Sequence, residues 1–329
     1  MNLLSAAAAA FAATLVFGFS ARWLGPRVGA MDVPGPLKGH GIPISYTGGL
    51  ALAGGMAVGA AAHRPHLQLG VAVALVGVMI LGLFDDRRHL APAWRFGGEL
   101  ALGIVCSLGF GFVDPPGGLL LGTALAAIIF VVAVNAVNVV DGTDGLAAGI
   151  GALSALGLGA VASRTDHQAD IPVLLAAAAL GFLWHNRPNA KLFLGDNGAY
   201  LMGGTLAVSY LRSGNDLSLI LAGTMCLGFF LLDLGLAVLR RLTGRRMLSA
   251  GDRMHLYDQL ADRGFSTWQV LLICLAIQAV FSAAGIGIVG LDTEGAVLAF
   301  TATWLVAIAL LFAGRFVRMD HAGHNKDFS

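Results

Sequence analysis

The sequence has little charge for its length. Asp, Glu, Lys and Arg make up 12% of its 329 residues, whereas 57% are hydrophobic and the mean hydropathy is +0.78. A soluble domain of this size usually carries about twice that charged fraction. Apolar runs of roughly 17 to 25 residues, each long enough to cross a bilayer, recur along the chain. The composition excludes an ordinary soluble protein and predicts an all-α, polytopic membrane protein.

Cysteine is also scarce, which excludes two kinds of architecture. Cys106, Cys226 and Cys274 all lie inside apolar runs, where we expect them to pack as small apolar side chains. Neither a disulfide framework nor a cysteine metal cluster is indicated. The first apolar run, LLSAAAAAFAATLVFGF, has no basic segment before it. We therefore interpret it as a retained first span rather than a cleaved signal peptide.

Hydropathy predicts about eleven transmembrane helices in a single membrane domain covering residues 1–329. The predicted spans are 2–21, 47–62, 67–84, 96–113, 117–137, 145–162, 171–185, 198–211, 217–239, 267–289 and 294–314. With the N-terminus outside, 17 of the 20 Lys and Arg residues fall on one side of the membrane. The positive-inside rule places that side in the cytoplasm, together with a basic loop at 240–265 and a C-terminal tail at 315–329.

Polar motifs interrupt the apolar runs at ends predicted to face the cytoplasm. The third span ends with Asp85 and Asp86, in FDDRRHLAPAWR. Adjacent carboxylates near a low-dielectric boundary repel each other, so both stay ionised only beside cations or a metal. Such a pair suits a general base or a divalent-ion site. A helix end with snorkelling charges is the alternative interpretation.

The stretch FVVAVNAVNVVDGTDGLAAGIG carries Asn135, Asn138, Asp141 and Asp144 at intervals of three residues. On a continuous helix these side chains would share one broad face. Polar groups inside an apolar run need partners, and they often mark a site. A turn with glycines around carboxylates is the alternative for DGTDG. A calcium loop is excluded because the further oxygen ligands and the distal Glu are missing.

Two further motifs have the composition of a phosphate site. In NRPNAKLFLGDNGAY, Asp196 lies between glycines just before the eighth span. Glycines let the backbone approach a ligand closely, and the following helix N-terminus favours phosphate, so Asp196 is the best metal-ligand candidate. The basic loop carries six arginines and His255, and Lys38 adds a basic point on the same face. These charges suit either lipid headgroups or a polyanionic substrate held through a bridging cation.

Two acidic residues fall inside predicted spans, Glu99 in the fourth and Asp233 in the ninth. A charged carboxylate at mid-helix costs roughly 2.5 to 3.5 kcal/mol on insertion scales, so each needs a partner. We expect each of them to pair with an arginine at the interface rather than to act in catalysis.

In this order and on one side, these motifs resemble the polyprenyl-phosphate N-acetylhexosamine-1-phosphate transferases, of glycosyltransferase family 4 type. The resemblance runs from about residue 32 to 265, through DVPGPLKGHGIPISYTGG, DD, NAVNVVDGTDGLA, NRPNAKLFLGDNG, and Asp233 with Arg240 and Arg241. It implies transfer of a sugar-1-phosphate from a UDP-sugar to undecaprenyl or another polyprenyl phosphate, with release of UMP. The implied location is the cytoplasmic face of the inner membrane, where the reaction starts O-antigen or related cell-envelope glycan synthesis.

The resemblance also implies roles for matching residues. Asp196 would bind Mg²⁺ or Mn²⁺, with Asn138 sharing the ion. The implied catalytic set is Asp85, Asp86, Asp196 and His255, with one of the first two acting as base beside the lipid phosphate. The implied nucleotide-sugar contacts are Lys38, Asn138, Asp141, Asp144, Asn186, Phe193 and Arg253. The expected partners are a UDP-N-acetylhexosamine donor, polyprenyl phosphate and membrane lipid, with no nucleic acid; a homodimer is left open.

Three positions depart from the family pattern. The basic loop reads HLYDQL where the family often has an HxHH cluster, so Tyr257 and Asp258 replace two histidines. Leu37 replaces a frequent arginine, and Ala199 stands where GDxG usually continues with serine. The shortened cluster resembles the O-antigen-initiating branch, whose donors include N-acetyl-fucosamine and N-acetyl-quinovosamine nucleotides. It disfavours muramoyl-pentapeptide transfer.

A secondary transporter is the alternative from another functional class. Transporters also bury carboxylates, but they place them near the membrane midplane, commonly between repeats. Here the carboxylates cluster at one predicted face, and the sequence shows no convincing internal repeat. A CDP-alcohol phosphotransferase is a rival enzyme, yet DGTDGLAAGIG lacks the arginine and the later aspartate pair of that family.

Overall fold

The structure is a computed structural model, and it describes residues 1–34, 41–110, 118–165, 167–243 and 254–316. Within these ranges the chain forms thirteen helices and one antiparallel pair of short strands. The helices are α1 (Leu3–Val28), α2 (Gly48–His63), α3 (Leu69–Arg88), α4 (Pro92–Phe110), α5 (Gly118–Val140), α6 (Leu146–Arg164), α7 (Asp170–Asn186), α8 (Gly195–Leu211), α9 (Leu217–Cys226), α10 (Gly228–Thr243), α11 (Leu256–Asp262), α12 (Thr267–Ile288) and α13 (Thr293–Ala313). The strands β1 (Met31–Asp32) and β2 (Ile44–Ser45) pair between α1 and α2.

The helices coincide with the predicted spans, except that the ninth span is divided into two helices and that α11 lies within the predicted basic loop. Six of the described helices are long and apolar enough to cross a membrane: α1, α3, α5, α6, α12 and α13. The apolar helices α2 and α7 are shorter, with 16 and 17 residues. The structure therefore agrees with an all-α membrane protein. Eleven crossings and an external N-terminus remain predictions.

The predicted ninth span, 217–239, is not one helix. It consists of α9 and α10, which meet at Leu227 with a bend of 78°. A break inside an apolar segment leaves backbone groups that lipid cannot satisfy. The fully buried side chain of Gln278, in α12, satisfies one backbone group on each side of the break. Its Nε2 donates to the carbonyl oxygen of Cys226 at 2.8 Å, and its Oε1 accepts from the N–H of Phe229 at 3.0 Å.

Helix α8 forms the centre of the bundle, and its residues from Asn197 to Ser209 are all buried. Glycines bring neighbouring helices close to its backbone. A Cβ atom at Gly203 would lie 2.5 Å from the Cα of Val134 in α5, and one at Gly82 of α3 would lie 2.6 Å from the Cα of Asn197. Only residues without a side chain permit such approach. These contacts place the polar ends of α3, α5 and α8 next to one another.

Candidate active site

The polar motifs of α3, α5 and α8 meet at one end of the bundle. Asp196 is the second residue of α8, and its Oδ1 accepts a hydrogen bond from Nδ2 of Asn138 at 2.6 Å. The backbone N–H of Asp196 donates to Oδ1 of Asp86 at 2.8 Å, although these residues are 110 positions apart in the sequence. The structure therefore brings together three of the predicted site residues. Their chemical roles remain predictions.

Asp86 holds the first turn of α8. Besides the N–H of Asp196, it accepts from the N–H of Asn197 at 3.1 Å and from Nδ2 of Asn197 at 2.6 Å. The first amides of a helix have no acceptor within the helix, and the helix dipole favours an anion there. Gly195, with φ +74°, makes the turn into the helix. In this arrangement Asp86 orients Asp196.

Asp85 is buried and has three donors around it. Its Oδ1 accepts from the N–H of Leu90 at 2.8 Å. Its Oδ2 accepts from the hydroxyl of Tyr200 at 2.5 Å and lies 3.3 Å from Nε of Arg95. The sequence analysis assigned no role to Arg95 or Tyr200. For Tyr200 the available signal was a phenol in an apolar helix, since a buried tyrosine hydroxyl usually finds a hydrogen-bond partner.

Arg95 links the aspartate pair to α5. Its Nη2 donates to Oδ1 of Asn135 at 3.3 Å and to Oδ1 of Asn138 at 3.4 Å. A guanidinium group only donates and a carboxylate only accepts, so the Asn138 amide faces Arg95 with its oxygen and Asp196 with its nitrogen. Asn138 therefore orients Asp196 in this structure. Its predicted role as a metal ligand would require the amide to turn.

The DGTDG motif lies in a turn and not on the helix. Because α5 ends at Val140, Asn135 and Asn138 are helical, whereas Asp141 and Asp144 follow the helix. The four side chains therefore do not share one helical face. Oδ2 of Asp144 accepts from the N–H of Ala190 at 3.0 Å. This contact attaches the turn to the segment before the GDNG motif.

Asn186 makes a second attachment between these segments. Its Oδ1 accepts from the N–H of Gly145 at 3.0 Å, and its Nδ2 donates to the carbonyl oxygen of Leu192 at 2.9 Å. Phe193 follows, and its N–H donates to the carbonyl oxygen of Ser45 at 2.8 Å. Asn186 is buried and Phe193 is partly buried. Both shape the backbone around the site, and their contacts with a nucleotide remain predictions.

Asp141 and Asp144 are both part-buried in the turn, and the acidic neighbours of Asp141 are Asp196, Asp86 and Asp144. Burial, followed by repulsion from these three carboxylates, raises the pKa of Asp141 well above its usual value. A group of carboxylates that repel one another is stabilised by a cation. This electrostatic arrangement favours a positively charged ligand beside the DGTDG turn.

The two acids inside helices have partners other than the expected arginines. Oδ2 of Asp233 lies 2.7 Å from Nδ1 of His255, and Asn135 donates its Nδ2 to Oε2 of Glu99. Arg95 lies one turn before Glu99 on α4, but its guanidinium group contacts Asp85 and the two asparagines of α5 instead. Among the described residues, neither acid therefore forms the expected ion pair with an arginine, although Arg95 still interacts electrostatically with Glu99.

His255 lies directly before α11, within the basic loop. Asp233 holds its Nδ1 and also accepts from the N–H of Leu256 at 2.8 Å. Across the described ranges, Nε2 of His255 has no hydrogen-bond partner. Because a carboxylate on one ring nitrogen orients the other, Nε2 is the atom that can reach a substrate.

Tyr257 connects this segment to the DGTDG turn. Its ring stacks on His255 with 5.5 Å between centroids, and its hydroxyl donates to the carbonyl oxygen of Val139 at 3.1 Å. A Cβ atom at Gly142 would lie 2.1 Å from the Tyr257 hydroxyl oxygen. Tyr257 therefore packs its phenol ring against the acidic turn, with His255 beside it. The remaining predicted contacts, Lys38 and Arg253, lie outside the described residues.

The donor set fits a divalent cation in an open site. Among the residues that the structure describes, no three His, Cys, Asp or Glu side chains are arranged to hold a metal ion. Mg²⁺, however, usually takes one or two carboxylates and completes its shell with water and substrate phosphates. Oδ2 of Asp196 accepts no hydrogen bond from the described residues, and Asp141 is close enough to interact with it electrostatically.

Comparison with known proteins gives an independent line of evidence. Residues 68–214, which include the α3, α5 and α8 motifs, match the family model "Glycosyl transferase family 4". The chain is 33% identical over 300 aligned positions to decaprenyl-phosphate N-acetylglucosaminephosphotransferase of Mycobacterium tuberculosis, covering 77% of this chain and 74% of the relative.

Two further relatives are also similar to this chain over most of its length. The identity is 29% over 282 positions to a probable undecaprenyl-phosphate N-acetylglucosaminyl 1-phosphate transferase of Bacillus subtilis, covering 79% of this chain and 77% of the relative. The chain is also 29% identical over 303 positions to phospho-N-acetylmuramoyl-pentapeptide-transferase of Shouchella clausii, covering 84% of this chain and 90% of the relative. With the motifs in contact and a relative one-third identical over most of both chains, this protein belongs to glycosyl transferase family 4, as a polyprenyl-phosphate N-acetylhexosamine-1-phosphate transferase.

Proposed function

We propose that this protein transfers an N-acetylhexosamine-1-phosphate from a UDP-sugar to a polyprenyl phosphate and releases UMP. The observation that carries the proposal is the direct contact of Asp86, Asn138 and Asp196 at one end of a bundle of membrane-length helices. A lipid-linked acceptor presents its phosphate at the bilayer boundary, so the site must lie where the helices end. The relatives in M. tuberculosis and B. subtilis are named for the same class of transfer.

The chemistry needs positioning and charge neutralisation more than covalent assistance. A Mg²⁺ ion held by Asp196, with Asp141 beside it, would neutralise charge on the pyrophosphate. His255 presents Nε2 to the sugar-phosphate portion, while Asp233 holds its other nitrogen. The second pKa of a phosphate monoester is about 6, so the acceptor is largely dianionic at neutral pH and needs no strong base. Asp85 and Asp86 then act by orienting Arg95 and Asp196.

The proposed orientation places the site on the cytoplasmic side of the inner membrane, with the N-terminus outside. Four exposed basic residues lie near the site in the sequence, at the end of α3 and after α7: Arg87, Arg88, Arg187 and Lys191. Basic residues accumulate on the cytoplasmic side of membrane proteins. The HLYDQL loop supports a donor of the O-antigen-initiating type, such as the UDP derivatives of N-acetyl-fucosamine or N-acetyl-quinovosamine.

The test is an assay with membranes containing the protein, undecaprenyl phosphate and a panel of radiolabelled UDP-N-acetylhexosamines. We expect a labelled lipid product and UMP with Mg²⁺ or Mn²⁺, and no product after EDTA, because the clustered carboxylates need a cation. Turnover that persists in EDTA would contradict the metal role. Absence of lipid product with every donor, together with uptake of intact UDP-sugar into vesicles, would favour a transporter.

Gly142→Ala should reduce transfer about 10- to 100-fold, the range seen when a supporting contact of a site is lost. The new Cβ would overlap the Tyr257 hydroxyl and displace the segment that holds His255. The measurement is kcat and donor KM of the purified protein. Gly97→Ala is the matched control, because a Cβ atom there meets open space. Equal activity of the two variants would show that docking of Tyr257 on the turn is not required.

A further inference from the structure

Glu99 is a fully buried carboxylate for which the proposed chemistry has no role. It belongs to the buried face of α4 together with Gly103. A Cβ atom at Gly103 would lie 2.9 Å from the Cα of Ala127, so α4 and α5 are in close contact there. Glu99, one turn earlier, faces Asn135 of α5. An ionisable group at such a place is costly and usually marks function.

We propose that Glu99 is a positioning residue, which fixes the amide of Asn135 and through it the guanidinium group of Arg95. Nδ2 of Asn135 donates to Oε2 of Glu99 and to the carbonyl oxygen of Val131, the latter at 2.9 Å. Both amide hydrogens are then in use. Oδ1 of Asn135 is left to accept from Nη2 of Arg95 at 3.3 Å.

The opposite orientation of the Asn135 amide is unfavourable on both sides. It would place an NH₂ group against the guanidinium group, where both are donors, and a carbonyl oxygen against the carboxylate, where both are acceptors. Glu99 therefore selects the orientation that accepts from Arg95. The selection depends on an acceptor oxygen at position 99 and not on its charge.

Arg95 transmits this orientation to the proposed catalytic group. Its Nε lies 3.3 Å from Oδ2 of Asp85, and its Nη2 donates to Oδ1 of Asn138. Nδ2 of Asn138 in turn donates to Oδ1 of Asp196. If the acceptor at Asn135 is lost, the guanidinium group keeps fewer of the contacts that define its position. The amide of Asn138 and the carboxylate of Asp196 then lose a fixed neighbour. This inference rests on the proposed function, because it assigns a role at the same site.

The experiment compares Glu99→Leu, Glu99→Gln, Asn135→Ala and the double variant Glu99→Leu/Asn135→Ala in the purified full chain. We expect Glu99→Leu to lower kcat about 10- to 100-fold and to change the donor KM much less. Glu99→Gln retains the acceptor oxygen and should keep most of the activity. The double variant should be no worse than Asn135→Ala, since residues that act through one another are not additive.

Two measurements separate this role from a general effect on folding and from the proposed function. Thermal unfolding checks that the variants fold, and the rise in unfolding temperature on adding Mg²⁺ reports on Asp196 without turnover. That rise should be smaller in Glu99→Leu than in the wild type or Glu99→Gln. A fully active Glu99→Leu, a Glu99→Gln as impaired as Glu99→Leu, or additive losses in the double variant would each overturn the inference. A wild type without activity on any donor would instead reject the proposed function, while the Mg²⁺ titration still tests Glu99.

Discussion

Asp196→Asn is expected to lower sugar-phosphate transfer by about a thousandfold, the upper range for loss of one electrostatic group in an active site. Asparagine keeps the size of the side chain, and its oxygen can still accept from Asn138, as Oδ1 of Asp196 does at 2.6 Å. The substitution therefore removes the charge and leaves the local structure. Because Oδ2 of Asp196 has no donor among the described residues, its charge is available to a bound cation.

The measurement is kcat/KM of the purified variant across a Mg²⁺ titration, with the Mg²⁺-induced rise in unfolding temperature as a second readout. Both should be lost in Asp196→Asn. Asp216→Asn is the matched control, since Asp216 is exposed before α9, and its side chain makes no capping hydrogen bond. Should Asp196→Asn keep more than about a tenth of the wild-type activity, an effect of only about 1.4 kcal/mol, Asp196 would not be the principal metal ligand.

Asp86→Ala is expected to impair both stability and transfer. Three donors at the start of α8 would lose their acceptor: the N–H groups of Asp196 and Asn197, and Nδ2 of Asn197. Loss of a partner for buried polar groups costs about 1 to 3 kcal/mol, so the unfolding temperature should fall. Transfer should drop about 100-fold, because the backbone that carries Asp196 is no longer held in place.

This result distinguishes a supporting role from that of a general base. The comparison is between Asp86→Ala and Asp86→Asn, with unfolding temperature and kcat measured on both. If Asp86 acted only as a general base, both variants would be as stable as the wild type. If Asp86 caps α8, Asp86→Ala should show a clear loss of stability. Arg88→Ala, an exposed change at the end of the same helix, is the control for the stability measurement. An unchanged unfolding temperature in Asp86→Ala would contradict the capping role.

Local properties of the chain were enough to predict most of the helices and three polar residues that the structure brings together. Helices follow from runs of apolar residues, because lipid leaves the backbone no other way to satisfy its hydrogen bonds within one segment. Asp86, Asn138 and Asp196 could be identified because polar residues at the ends of such runs cost free energy in a membrane, and they often mark a functional site. The motifs, in their order and on one predicted side, also resembled the family, which the relatives confirm.

The partners of the polar groups depended on how the helices pack. The bend at Leu227 requires Gln278, which lies about 50 residues further along the chain, and the pairing of Asp233 with His255 replaces the expected arginine. Hydropathy averages over neighbours in sequence, so it does not detect acceptors on another helix. The close approach of α3 to α8 at Gly82, and of α5 to α8 at Gly203, defines which side chains of these helices face each other. The direction of each amide and carboxylate then follows from donors and acceptors brought together across α3, α4, α5 and α8.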